Sequence, residues 1–548
     1  MDGTLRLDAD RRPNIVLILA DDLGFSDLGC YGSEIATPHI DALAREGMRF
    51  SSFYNNAKCC PSRASLLTGL YPAQTGVGHM VHDLRLPGYR GFLGENCVTI
   101  AEVLGAAGYR TVMAGKWHVG GTYSVADADS WEPGSPGYPR PIDRGFDEHF
   151  GTLTGAGSYY GPHTLVQNDA WIDPGPGFYY TDAINRYATD AVRRCAGESR
   201  QFFLYVAHVA PHWPLHAPEE LIATYRDRYR VGWDEIRTRR HARLVDEGLL
   251  DPAWPLTPRD ELAAPWEAVA DQRWEAARMA CYAAQVEAMD RGIGDIVDAL
   301  RDEGVAGHTL VLFLSDNGGA PDVLHEEAVP DPPAAPTRTR DGRHVIVGNV
   351  SGIDPGPETT FASYGPAWAN ASNTPFRLYK NWVHEGGIST PCVAWWPGTV
   401  PPATICHDVC HVMDLMPTLT DLAGAQYPAQ RRGVPVPATE GMSLSGVLQG
   451  QETLPERLLC WEHQGNRAVR RGRHKLVSRW PGGWELYDLD ADRTELHDLA
   501  ARTALVEDLS GGYAAWEERC GVQPWERLQA GLRRFRPPGW KGTIPALP

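Results

Sequence analysis

Two acidic pairs far apart in the chain, Asp21-Asp22 and Asp316-Asn317, each follow an apolar run and offer only hard oxygen ligands. Such a set suits Ca²⁺ or Mg²⁺ and disfavours zinc. Three carboxylates brought together also need a cation to offset their repulsion. Positive charge is distributed unusually, since only five lysines (58, 116, 380, 475 and 541) occur among 51 basic residues. Lys116 opens Lys116-Trp117-His118, His212 lies between Pro211 and Trp213, and Cys59-Cys60-Pro61-Ser62-Arg63 sets two thiols near a guanidinium. A second cluster, Cys406-His407-Asp408-Val409-Cys410-His411, contains zinc-ligand types, but no further ligand pair follows at finger spacing. Residues 413–418 continue as a packing helix, so a structural role is expected there.

These groups need elements that hold them together. Residues 13–20 form an apolar run leading into Asp21, and residues 309–315 form another leading into Asp316. The same pattern recurs in 111–115 before Lys116 and in 202–209 before His212. Runs apolar on both faces read as buried parallel strands, and helical segments at 38–46, 98–107 and 276–303 separate them. The fold class expected is α/β, with a mostly parallel sheet between helices. Ligands in such folds collect beyond the carboxyl ends of strands, where all four polar clusters fall. A Trp- and Arg-rich, helical insertion (212–276) and a Pro/Gly-rich stretch (318–373) are suited to wall the site. After about residue 450 the texture changes to short antiparallel strands at 467–470, 475–478 and 484–489, then a helix at 505–519. The division expected is a catalytic domain over 1–450 and a C-terminal subdomain over 451–548, with a loosely packed tail after Arg533.

The chain has 548 residues and is 43% apolar, enough for a large core in more than one layer. Its longest apolar run, 15–20, is too short to span a bilayer. Residues 1–8 lack a secretory pattern, and eleven cysteines without regular spacing fit reduced thiols, so a cytoplasmic location is expected. A formal charge of −18 argues against nucleic acid and against long-range capture of polyanions. Any anion site must be built locally, and no membrane partner is expected. Oligomeric state stays open.

Cys59 to Arg63, followed at once by Ala64-Ser65-Leu66-Leu67-Thr68-Gly69, resembles the C-x-P-S-R signature of the type I, formylglycine-dependent sulfatases. Ala20-Asp21-Asp22-Leu23-Gly24, Gly115-Lys116-Trp117-His118, Ala210-Pro211-His212-Trp213-Pro214 and Ser315-Asp316-Asn317-Gly318 resemble further motifs of that family, in its order. Thr374 to Lys380, followed by Glu385-Gly386-Gly387-Ile388, is similar to the segment carrying the family's last lysine. The resemblance covers about residues 13 to 500 and is closest in texture to bacterial arylsulfatases.

The resemblance implies an alkaline-phosphatase-like fold with a small C-terminal antiparallel sheet. It implies that Cys59 is converted to formylglycine, because reading from Cys60 would put Ser62 where the motif wants proline. One Ca²⁺, or Mg²⁺, would be held by Asp21, Asp22, Asp316, Asn317 and an oxygen of the modified Cys59. Arg63, Lys116 and Lys380 would add positive charge around the sulfuryl group, and Arg63 would steady the modified residue. A gem-diol oxygen would attack sulfur, His212 with Lys380 would serve the leaving oxygen, and His118 would deprotonate the second hydroxyl to expel sulfate. The implied helper is a formylglycine-generating enzyme. The function expected is hydrolysis of small aryl or alkyl sulfate monoesters. Alternatives are a phosphonate monoester or phosphodiester hydrolase using the same site, and a catalytically silent binding protein. Tyr159, Tyr160, Trp213 and Trp382 are available as aromatic surface for the alcohol.

Overall fold

The polar clusters converge because the strands that precede them end level with one another. A computed structural model describes residues 12–122, 138–325 and 337–535. Its main strands are β1 (Asn14–Ala20), β2 (Met48–Tyr54), β3 (Arg110–Gly115), β4 (Glu148–Thr152), β5 (Phe202–Ala207), β6 (Thr309–Ser315) and β7 (Ser389–Trp395). Among the described residues they belong to one 11-stranded sheet, in the order Thr404–Cys406, β2, β7, β6, β1, β5, β3, β4, then Leu165–Gln167 and Ala170–Trp171, with Cys410–His411 also pairing with β2. Strands β6, β1, β5, β3 and β4 are parallel, whereas β7 runs against both β2 and β6. Ala20 pairs with Ser315, Leu19 with Ala207, and Gly115 with Ala207. Residues 21, 116, 208 and 316 therefore leave the sheet at one edge.

The sheet is covered on both faces, as the two-sided apolar runs require. Along β1, Val16, Ile18 and Ala20 join one core and Ile15, Leu17 and Leu19 join the other. The helices are α1 (Pro38–Glu46), α2 (Cys59–Thr68), α3 (Ile100–Ala106), α4 (Tyr180–Ala196) and α5 (Gln272–Asp302), then α6 (Leu415–Leu422) and α7 (Thr503–Cys520). α1, α4 and α5 pack on the first face, and α2, α3 and α6 on the second. α3 starts behind a capping box, in which Thr99 Oγ1 accepts from Glu102 N at 3.1 Å and Glu102 Oε2 accepts from Thr99 N at 2.8 Å. α5 begins at Gln272, ahead of the expected start, because Asp271 Oδ1 accepts from Trp274 N at 3.0 Å. The insertion after His212 is helical over Glu219–Tyr225 and Gly232–Asp246.

Toward its C-terminal part the chain forms a small antiparallel sheet of β8 (Leu458–His463), β9 (Asn466–Arg471), β10 (His474–Ser478) and β11 (Glu485–Asp488). Its apolar residues share a core with Tyr54, Ala57, Val383 and Met413. Beneath it lies a buried ionic cluster. Lys475 Nζ meets Glu385 Oε1 at 2.9 Å and Glu495 Oε1 at 2.8 Å, while Arg493 Nε donates to Glu385 Oε2 at 2.8 Å. Arg493 also donates to Ser52 Oγ on β2 at 3.0 Å, which ties the sheet to the main domain.

The tail expected after Arg533 lies, from residue 536 on, outside the described residues, as do residues 1–8 and part of the 318–373 stretch. Among the described residues no helix is long and apolar enough to cross a membrane. All eleven cysteines are buried free thiols.

Candidate active site

The site starts where β1 ends. Asp22 has φ +67°, a left-handed conformation that Asp tolerates better than most residues. It breaks the strand's alternation of side chains, so Asp21 and Asp22 deliver carboxylate oxygens to one place, within 4.8 Å of each other and of a His212 nitrogen. From β6, Asp316 Oδ1 accepts from Asp22 N at 3.3 Å, and Asn317 Nδ2 donates to Asp22 Oδ1 at 2.7 Å. All four side chains are buried.

Three cations neutralise these carboxylates. Arg63 Nε donates to Asp316 Oδ2 at 2.9 Å and Arg63 Nη2 lies 3.6 Å from Asp21 Oδ2. Lys116 Nζ donates to Asp21 Oδ2. Lys380 Nζ donates to both oxygens of Asp22, at 2.6 and 2.8 Å, and His212 Nε2 stands 3.3 Å from Asp22 Oδ2. Lys116 follows Gly115, whose φ is +111°, and a Cβ there would meet the Ala207 carbonyl oxygen at 1.9 Å. Only glycine allows β3 to approach β5 so closely at the site.

Burial would raise the Asp21 carboxyl, but Lys116, His212 and Arg63 outweigh it and hold it below the ordinary range. Asp316 goes the other way: burial and then Asp21 push it well up, and Arg63 only partly compensates. Burial lowers His212, with Lys380 adding to it against the pull of Asp22. The Lys380 ammonium, which burial alone would weaken, is held well above its usual value chiefly by Asp22.

Cys59 opens α2, where the positive end of the helix favours negative charge. The thiol is held well below its usual value, first by a hydrogen bond from Cys60 and, against burial, by His118, Lys116 and Lys380. His118 lies beside it, with donor atoms of Cys59, Cys60 and His118 within 4.8 Å of one another. Gly155 leaves room for that imidazole, because a Cβ there would sit 2.6 Å from the ring. Burial, then Lys116, lowers His118 to about 4.

Asp21 Oδ1 and Asn317 Oδ1 are buried and have no hydrogen-bond partner among the described residues. Orphaned oxygens beside three carboxylates fit a hard divalent ion, which would be held by Asp21, Asp22, Asp316 and Asn317. Asp21, Asp22, Cys59, Arg63, Lys116, His118, His212, Asp316, Asn317 and Lys380 thus lie in one buried cluster. Sequence reasoning named Lys58 only as one of the five rare lysines and missed Asp322. Burial would raise the Asp322 carboxyl, but Lys380, Lys58 and His212 hold it below its usual range. No motif or spacing marks Asp322.

Tyr159 and Tyr160 support the walls by hydrogen bonds: Tyr159 donates to His212 O at 2.8 Å, and Tyr160 donates to Ala217 O at 3.1 Å. Trp382 is buried. The residues at 406–411 do not converge on a metal site. Cys406 and Cys410 sit on short strands beside β2, His407 Nδ1 is 2.9 Å from Ser51 Oγ, and Asp408 accepts from Leu454 N at 2.7 Å.

The sulfatase family matches residues 13–425, and the family described as N-sulphoglucosamine sulphohydrolase, C-terminal, matches residues 376–509. The chain is similar to an uncharacterised sulfatase of Schizosaccharomyces pombe, at 32% identity over 93% of this chain and 94% of that one. It is also similar to the arylsulfatase of Klebsiella aerogenes, at 34% identity over 80% of this chain and 92% of the relative. Among solved structures, Ps i-CgsB in complex with k-i-k-neocarrahexaose superposes with a TM-score of 0.67 at 25% identity, over 96% of this chain and 98% of that one. With the match spanning most of the chain and the signature residues gathered at one sheet edge, the chain belongs to the type I sulfatase family of the alkaline phosphatase-like superfamily and is a sulfuric ester hydrolase.

Proposed function

We propose that the chain hydrolyses sulfate monoesters through a formylglycine at position 59 and one divalent ion, Ca²⁺ before Mg²⁺, held by Asp21, Asp22, Asp316 and Asn317. The observation that carries this reading is the pair of unpaired buried oxygens, Asp21 Oδ1 and Asn317 Oδ1, close enough to Cys59 for its charge to act on Asp21. When present, the ion supplies neutralisation of the sulfuryl oxygens, and the hydrated aldehyde supplies two hydroxyls on one carbon. Arg63, Lys116 and Lys380 hold the anionic ester against the site and stabilise the charge that builds in the transition state. His212 and Lys380 stabilise the charge on the oxygen of the departing alcohol, or give it a proton, as its bond to sulfur breaks. His118, beside residue 59, takes the proton of the hydroxyl that did not attack. Removal of that proton would let the C–O bond to sulfate break, with its electron pair going to the departing sulfate. Aryl and alkyl sulfates are the simplest substrates for this chemistry.

A formylglycine-generating enzyme is the helper this reading requires, and eleven buried free thiols support a reducing, cytoplasmic compartment. The test is the mass of the peptide containing Cys59 after co-expression with such an enzyme. Loss of the thiol mass in favour of the aldehyde, in step with sulfate release, is expected. Full sulfate release from protein whose Cys59 remains a thiol would sink the reading.

A further inference from the structure

A second set of buried polar atoms stands beside the loop of Cys59. His463 ends β8 and His79 follows the short helix Pro72–Thr75; they are 0% and 6% exposed. Neither nitrogen of either ring has a hydrogen-bond partner among the described residues. The hairpin that carries His463 is stitched to the site. Trp461 Nε1 donates to Asn55 O at 2.8 Å, Asn466 Nδ2 reaches His463 O at 3.0 Å and Asn381 O at 3.5 Å, and Asn381 N donates to Ala57 O at 2.9 Å. His463 is thus set between the segment that ends in Lys380 and the segment that leads into Cys59.

The two imidazoles stack, with centroids 5.2 Å apart and planes 13° apart, and His79 also stacks on Trp525 at 5.5 Å. Stacking occupies ring faces and leaves the nitrogens to act at ring edges. Burial first, then Lys58 and His82, lowers His79 to about 3, and burial with His79 and Lys58 puts His463 well below its usual value. Each ring is therefore neutral near pH 7, with one N–H donor and one nitrogen acceptor. A hydroxyl group offers the complementary acceptor and donor. Buried nitrogens without partners are costly unless a bound group pairs with them.

We propose that His79 and His463 form a subsite for hydroxyl groups on the alcohol half of the ester, selecting polyhydroxylated, sugar-like alcohols over bare aryl or alkyl ones. The proposal rests on the sulfate-ester reading above. It is tested by kcat/KM of the formylglycine-containing enzyme on 4-nitrophenyl sulfate and on a set of sugar sulfates: galactose 6-sulfate, N-acetylglucosamine 6-sulfate and N-acetylgalactosamine 4-sulfate. The parent enzyme is expected to turn over at least one sugar sulfate. The ratio of that kcat/KM to the value for 4-nitrophenyl sulfate should fall about tenfold or more in His463→Phe and in His79→Phe, corresponding to one lost hydrogen bond. His463→Gln, which retains a donor and an acceptor, should recover part of it. An unchanged ratio in all three variants, or no turnover of any sugar sulfate by a parent active on 4-nitrophenyl sulfate, overturns the subsite. Should His→Phe variants fail to fold, the Gln variant and the parent's own selectivity still decide. Absence of sulfate release from every ester sinks the hydrolase reading instead, and is recognisable as such.

Discussion

At the outer ends of β1 and β6, Asp21, Asp22 and Asp316 meet Arg63, Lys116 and Lys380; beneath the C-terminal sheet, Glu385 and Glu495 meet Lys475 and Arg493. Both clusters are buried and use the same residue types. They differ in how completely they pair. Glu385 has one oxygen on Lys475 and the other on Tyr54 and Arg493, and Glu495 Oε2 also accepts from Glu385 N at 3.0 Å. Burial would raise the Glu385 carboxyl, but Lys475, Arg493 and Arg470 overwhelm that effect and hold it far down. At the strand ends Asp21 and Asn317 keep free oxygens, and Asp316 is pushed up by burial and then by Asp21, which Arg63 only partly offsets. Incomplete pairing, rather than buried charge as such, separates a place built for a ligand from a fastening between layers.

The sharpest break between the two clusters is catalytic. Cys59→Ala should lower kcat for 4-nitrophenyl sulfate by roughly 10³-fold or more while leaving the melting temperature unchanged. Substantial residual turnover would remove residue 59 from the chemistry. Next in size, Glu385→Ala leaves Lys475 and Arg493 buried without their shared partner, and should cost about 3–5 kcal/mol in urea unfolding. A loss below about 1 kcal/mol would mean that the C-terminal cluster is not a fastening. A smaller effect is expected from chelation: dialysis against EDTA should lower the melting temperature, and Ca²⁺ at a hundredfold excess over its Kd should restore about 2.7 kcal/mol. A melting temperature indifferent to both would assign the free oxygens to structure alone.

The smallest effect concerns a carboxylate that forms no ion pair among the described residues. Asp290 on α5 accepts from the backbone N–H groups of His39 and Ile40 at the start of α1, at 3.2 and 2.8 Å. Burial raises it to about 7. Because the folded value lies above the unfolded one, the folded state holds an extra proton between them. The group's contribution is therefore greatest below about pH 4 and is lost as pH rises through about 7. Asp290→Asn should flatten the difference in stability between pH 5 and pH 8 by on the order of 1–2 kcal/mol, read from urea midpoints. An unaltered slope would show that Asp290 is ionised throughout.

β1 and β6 were legible because every residue of each is buried, which leaves an uninterrupted apolar run in the sequence. β2 and β7 were not. Their sequences, MRFSSFY and STPCVAW, mix serines, threonine and proline into buried strands, and those polar groups find partners only in the tertiary structure. Thr390 Oγ1, for instance, accepts from Ser315 N at 2.9 Å. The same limit applied at the site. Asp21-Asp22, Cys59 to Arg63, Lys116 to His118 and Asp316-Asn317 could be read because each is a local string. Asp322, His79 and His463 stand alone in the sequence, and only the folded chain brings them to the others. Lysine scarcity pointed correctly to the neighbourhood of Lys116 and Lys380, but gave the same signal for Lys475, which bridges two glutamates instead.

Every residue of α2 is buried, and Cys59 at its start is 2% exposed. An enzyme that modifies this thiol can reach it only while the chain is open. Trp461 and Asn466, which pin the hairpin of β8 over the loop of Cys59, are made several hundred residues later. On the formylglycine reading, chain order would work as a clock, with synthesis presenting the thiol before the residues that cover its loop are made. A circular permutant that made the C-terminal sheet first would shorten that interval without altering a single contact in the finished protein.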